Sequence, residues 1–198
     1  MPSPIGHALA GLATAWISTG AAARRTDPLP PTTRLQLTIA CVAAAVAPDI
    51  DLLFHAHRSY SHSVGAAAIA GVIAWLAAHA RGPGGAGRHA VTIGITVGFA
   101  YATHILLDWL GRDTATPLGV MALWPFSSRF YLSGADLFTG ISRRYWRPNE
   151  FIYGNLRSVA RELVVLAPAV AAAAWFRFVP RPSRRHSRRQ DTALRRRA

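Results

Sequence analysis

Five apolar runs divide this chain: Ile5–Ala23, Leu35–Phe54, Ser63–Ala80, Ala90–Leu110 and Ser158–Val179. Each is close to the ~20 residues a helix needs to cross the hydrocarbon core of a bilayer. A helix satisfies its backbone N–H and C=O groups within the segment, which lipid cannot do for it. Composition points the same way. The chain is 51% hydrophobic and 16% charged, with a mean hydropathy of +0.20, too apolar for an ordinary soluble domain. The sequence therefore predicts an all-α fold, a polytopic membrane helical bundle of about five apolar helices. Gly and Ala recur in the runs, as expected where membrane helices approach closely. With 198 residues, one domain is expected. It covers residues 1–180, and an Arg-rich, disordered cytoplasmic tail follows over 181–198.

The net charge is +13, and every basic residue is Arg. Nine of the 22 Arg fall between Arg177 and Arg197. A basic flank directly after an apolar run reads as a topology signal that also touches anionic lipid, so no specific nucleic-acid partner is predicted. The loops Arg24–Arg34 and Arg81–His89 are also Arg-bearing. No basic residue precedes the first run, which is unlike a cleaved signal peptide. Together these charges predict an outside N-terminus and an inside C-terminus. The segment Gly111–Arg157 carries six Arg and fits less well, but long segments obey the charge rule poorly. Cys41 is the single cysteine, so an intrachain disulfide and a cysteine-based zinc site are both excluded.

Alternating spans gather the polar residues. The start of run one, the end of run two, the start of run three and the end of run four share one membrane face. His7 lies at the first of these positions and Asp49 and Asp51 at the second. His55, His57, Arg58 and His62 fill the turn into the third. His104 and Asp108 lie near the fourth. His104 and Asp108 are four residues apart, so on a helix they share a face. Ionisable groups inside apolar spans are expensive and mark functional sites by default. Imidazoles and carboxylates without thiolate fit Zn²⁺, with Mn²⁺ or Fe²⁺ as alternatives. The sequence thus predicts a divalent-metal site at one membrane face.

The ordered set His7-Ala-Leu-Ala-Gly, Pro48-Asp49-Ile50-Asp51, His57-Arg58, Ser61-His62-Ser63, His104 with Asp108, Thr116-Pro-Leu-Gly-Val120 and Leu123-Trp-Pro-Phe126 resembles the YdjM-like family. That family comprises bacterial inner-membrane proteins regarded as metal-dependent hydrolases. The resemblance covers roughly residues 1–130. It implies a bacterial cytoplasmic (inner) membrane location and a membrane-embedded hydrolase domain. A more distant likeness is to zinc-dependent phospholipase C. There, Asp49 or Asp51, His62 and the His104/Asp108 pair match part of the zinc-ligand pattern. The later ligands of that enzyme have no counterpart here, which implies one or two ions rather than three.

On this reading His62, His104 and Asp108 are ligands, one of Asp49 and Asp51 completes the set, and His7 and His57 are further candidates. The remaining aspartate is a general base toward a metal-activated water. Arg58 is a clamp for an anionic substrate group, and Ser61 and Ser63 orient ligands. Arg112, Asp113, Arg129 and Trp124–Phe126 are assigned to a rim or lid. A site at the predicted outer face meets membrane lipid first, so the expected substrate is a lipid phosphoester or another lipid-linked phosphate. Two alternatives stay open: a regulator or scaffold with a structural metal, and an ion-coupled transporter.

Overall fold

The computed structural model describes residues 2–24, 27–54, 58–114 and 116–179. His57, one of the predicted ligands, and the Arg-rich tail lie outside them, as does His55. Among the described residues there are five α-helices and no strand: α1 (Pro4–Ala22), α2 (Pro31–Val46), α3 (Val64–His79), α4 (Ala90–Leu110) and α5 (Asn155–Phe178). Each matches one apolar run.

Helix starts follow local chemistry. Ser3 caps α1 by accepting from the Gly6 N–H at 3.3 Å, with Pro4 in the first turn, a position where proline's missing donor does no harm. Ser63 caps α3 by accepting from the Ala66 N–H at 3.1 Å. The first two N–H groups of α3 also find carbonyls, Val64 on Ala122 and Gly65 on Trp124, both at 2.9 Å. The Trp124 ring lies against Gly65 and Tyr60. This stretch therefore anchors the start of α3 rather than forming a lid.

Run two is not one continuous α-helix. It tightens at Ala47 into a 3-10 helix that runs to Phe54. Pro48 explains the break, since its ring obstructs the carbonyl four residues back and it has no N–H to donate. A 3-10 helix turns about 120° per residue, so Asp49 and Asp51 point in different directions.

α4 packs against α3, α2 and α1, while α1 packs against α5 and α2 as well. The core is built from small residues, among them Ala15, Cys41, Ala78 and Ala100, with Leu37 and Val97. α3 and α4 approach at Gly71, Gly94 and Gly98; a Cβ added at Gly94 would lie 2.8 Å from the Gly71 carbonyl oxygen. Large apolar side chains such as Ile39, Ile69, Ile73, Ile95, Phe99 and Val164 point outward instead, the arrangement expected when lipid is the solvent.

Among the described residues, three helical stretches are long and apolar enough to cross a membrane: Pro31–Leu52, Gly87–Leu110 and Glu150–Phe178. The expected bundle of about five apolar helices is present, and these three of its helical stretches meet both the length and the hydropathy needed to cross a membrane. α3 is apolar but only 16 residues long. α1 is interior, with His7, Ala15 and Thr19 buried, so it faces protein and tolerates polar side chains. Residues 111–114 and 116–149 fold irregularly across the ends of α1 and α4. Phe138 from this segment is buried against Ala10 and Leu107.

Candidate metal centre

Antiparallel packing brings the start of α1, the end of α2, the start of α3 and the end of α4 to one end of the bundle. Five of the residues predicted from sequence meet there. The Nε2 atoms of His62 and His104 are 3.1 Å apart. Asp108 Oδ2 lies 3.3 Å from each of them. Asp49 Oδ1 is 3.9 Å from His62 Nε2 and 3.7 Å from His104 Nε2. His7 Nε2 is 3.5 Å from the other Asp108 oxygen, and its ring stacks on His104 with centroids 3.7 Å apart. His7, His62, His104 and Asp108 are all but fully buried.

These spacings fit a metal. Tetrahedral coordination with bonds of about 2.0–2.1 Å places neighbouring donor atoms about 3.3 Å apart, and the His62–His104–Asp108 triangle has edges of 3.1, 3.3 and 3.3 Å. A second observation agrees. Among the described residues, both Asp108 oxygens and both His7 ring nitrogens are buried without a hydrogen-bond partner. Orphaned buried polar atoms are rare, and a missing ion is one of their ordinary explanations. Two overlapping groups of donors, His7/His104/Asp108 and Asp49/His62/His104, are each compact enough to hold an ion.

The remaining nitrogens are committed in a way that aims the donors. His104 Nδ1 donates to the Ala45 carbonyl at 2.7 Å. Pro48, three residues further on, has no N–H to compete for that carbonyl. This fixes the tautomer and turns the Nε2 lone pair toward Asp108. His62 Nδ1 lies 3.1 Å from Asp51 Oδ2, the carboxylate–imidazole arrangement typical behind a metal-binding histidine. Burial disfavours the charged form of His62, yet Asp108 and Asp51 outweigh it and push the imidazole up to about 9.

The two aspartates, two residues apart, are separated by place. Asp49 faces the nitrogens, while Asp51 sits behind His62. Asp51 also accepts from the Ser61 hydroxyl and, at 3.3 Å, from the Arg58 N–H. Arg58 itself adopts a left-handed backbone conformation with φ of 72°, uncommon outside glycine and strained by about 1–2 kcal/mol. Its guanidinium pairs with Asp113 at 2.5 Å and reaches the Pro117 carbonyl. It is therefore not an unengaged clamp. Asp113 also accepts from the Gly119 N–H at 2.8 Å, so it organises this wall rather than serving only as rim. Ser63 caps α3, and among the described residues its hydroxyl bonds the Tyr60 carbonyl and the Ala66 N–H rather than the clustered donor atoms.

Beside Asp49 opens a cavity of about 920 Å³ lined by Asp49, Arg58, Arg112, Asp113, Arg143 and Arg144, with Glu150 and uncharged residues between them. Four arginines against three acids give it a basic lining.

Two contributors escaped the sequence reading. Glu162 of α5 is fully buried and accepts from the Ser3 N–H at 2.6 Å and from the Ser3 hydroxyl, pinning the start of the helix that carries His7. Its signal was available, an acid inside an apolar run. Tyr101, three residues before His104 on α4, donates to the Ser61 carbonyl at 2.7 Å and so holds the His62 turn against α4.

The fold and this end of the bundle define a class: a helical membrane protein with a buried histidine–carboxylate cluster beside a basic cavity. The sequence pattern of the YdjM inner membrane protein family matches residues 1–181, and the chain belongs to that family. The match extends beyond the motifs of the first 130 residues to include α5. No curated protein sequence and no solved structure matches the chain.

Proposed function

We propose that this protein is a membrane-bound, metal-dependent phosphoester hydrolase acting on a lipid or other membrane-proximal phosphate. The observation that carries this reading is the contact of Asp49 with both features: it faces the His62–His104–Asp108 triangle and lines the arginine-bearing cavity. His62, His104 and Asp108 would hold a divalent ion, Zn²⁺ first and Mn²⁺ or Fe²⁺ as alternatives, with Asp49 or His7 added. His7 on the far side of Asp108 would allow a second ion. When bound, such an ion supplies Lewis-acid polarisation of a phosphoryl oxygen and acidifies water.

The chain's own groups do the rest. Asp49, the partly exposed carboxylate, takes the proton of the attacking water. Asp51 holds His62 in place from behind. Arg58, fixed by Asp113, presents its guanidinium to the cavity, and Arg143 and Arg144 line the same space, where planar cations suit phosphate oxygens. With the site at the outer face and the tail in the cytoplasm, as the charge distribution suggests, the substrate arrives from the outer leaflet.

A second reading has its own support. The near-complete burial of His7, His62, His104 and Asp108 suits a structural metal, since structural zinc is closed by four ligands.

The test is a phosphate- and headgroup-release screen on phospholipids and lipid-linked phosphates. Purified protein is loaded with Zn²⁺ or Mn²⁺ and compared with chelator-treated protein and with Asp49→Asn. Metal-dependent turnover lost in the variant supports hydrolysis. Full metal occupancy with no turnover on any phosphoester supports the structural reading.

A further inference from the structure

The opposite end of the bundle holds a second polar feature. A cleft of about 240 Å³ opens between the end of α1, the start of α2 and the end of α5, lined by Trp16, Thr19, Arg34, Thr38, Arg177 and Phe178 among others. Arg34 and Arg177 are both half-buried. Among the described residues neither forms an ion pair. Arg34 gives its Nε to the Leu29 carbonyl at 2.7 Å, leaving the two terminal nitrogens. The Arg177 guanidinium makes no hydrogen bond among the described residues and stands 5.1 Å over the Phe178 ring. The neighbouring Arg24 is a useful contrast. It is spent on the Gly20 and Phe176 carbonyls, each at 2.6 Å.

Two partly desolvated guanidinium groups in one small cleft repel each other unless an anion joins them. The cleft sits where helices leave the apolar belt. Leu35 and Phe178 line it and are both exposed, so the space is continuous with the lipid-facing surface. We propose that this cleft binds the phosphate of an anionic phospholipid, with the acyl chains lying along the exposed side chains. Basic pockets between membrane helices recognise anionic headgroups in this way. Trp16, edge-on to Phe178 with centroids 5.5 Å apart, would form the wall beneath the headgroup. The bilayer is the source of the ligand because the walls that meet the cleft are apolar and outward-facing. The proposal is independent of any chemistry at the metal centre.

Native mass spectrometry of the full chain in detergent tests it, titrating phosphatidylglycerol, phosphatidylcholine of the same chains, and inorganic phosphate. The parent should retain phosphatidylglycerol in preference to phosphatidylcholine. Arg34→Gln plus Arg177→Gln should weaken retention on the order of 10-fold or more. Arg81→Gln, an exposed arginine outside the cleft, should bind as the parent does. If the double variant loses its helical circular dichroism, each single variant reads the same quantity. Unchanged phosphatidylglycerol binding in the folded variants, or equal binding of the two lipids, overturns the proposal. Inorganic phosphate competing at the same concentration as the lipid would assign the cleft to a free anion and overturn the lipid source.

Discussion

His62 and His104 face each other through Nε2 atoms 3.1 Å apart while each ring's Nδ1 points to a fixed acceptor, Asp51 for one and the Ala45 carbonyl for the other. Two neutral rings so arranged would oppose their lone pairs. A cation between them removes the conflict, and in the metal-free protein a proton on His62 serves, stabilised by Asp51 and Asp108.

That proton sets a pH dependence. The His62 imidazole is raised from 6.5 to about 9, so its contribution to stability is fully present below about pH 6.5 and is lost as pH rises through about 9. A metal bound as proposed would have to displace it. Thermal melts of metal-free protein should fall between pH 7 and 9.5, and melts of metal-loaded protein should not. Apparent metal affinity should rise with pH up to about 9, with proton release on binding. A metal affinity independent of pH from 6 to 9 would show that His62 is not displaced.

Asp49 and Asp51 should separate in their effects. Asp51→Asn leaves the coordinating atoms in place but loosens His62, so metal affinity should drop about 10–100-fold, with activity restored by excess metal. Asp49→Asn should abolish turnover at any metal concentration. Competition with a chromogenic chelator measures the first, and phosphate release the second. Rescue of Asp49→Asn by metal would reverse the two assignments.

Glu162 should matter far from its own helix. Glu162→Ala strands the buried Ser3 N–H and hydroxyl, at about 1–3 kcal/mol, and releases the start of α1. The expected result is a lower melting temperature together with weaker metal binding through His7. Glu162→Gln keeps an acceptor and should retain most of both. Equal effects of the two variants would show that the hydrogen bonds to Ser3 contribute nothing specific.

Much of this was legible in the sequence, for identifiable reasons. Run lengths gave the five helices, and simple alternation put His7, Asp49, His62, His104 and Asp108 at one end of the bundle. The division between Asp49 and Asp51 was half legible: residues two apart do not share a helix face, but which of the two meets the imidazoles depends on how the helix leaves Pro48. The interior position of α1 was also hidden: its run length resembles a lipid-facing span, and only its His, Thr and Ser content hints otherwise. The role of Glu162 is hidden in the sequence because its partner Ser3 lies 159 residues away. Residues 111–149 carry no periodic pattern, so their tie to α3 through Ala122 and Trp124 emerges only in three dimensions.

The most direct test is metal content. The full chain, purified in detergent from cells grown with trace metals, should carry at least one equivalent of zinc, manganese or iron by elemental analysis. His104→Ala and Asp108→Asn, checked as folded by helical circular dichroism, should carry almost none. Negligible metal in the parent after incubation with each of these ions, or undiminished metal in both folded variants, would contradict a metal centre built on His62, His104 and Asp108.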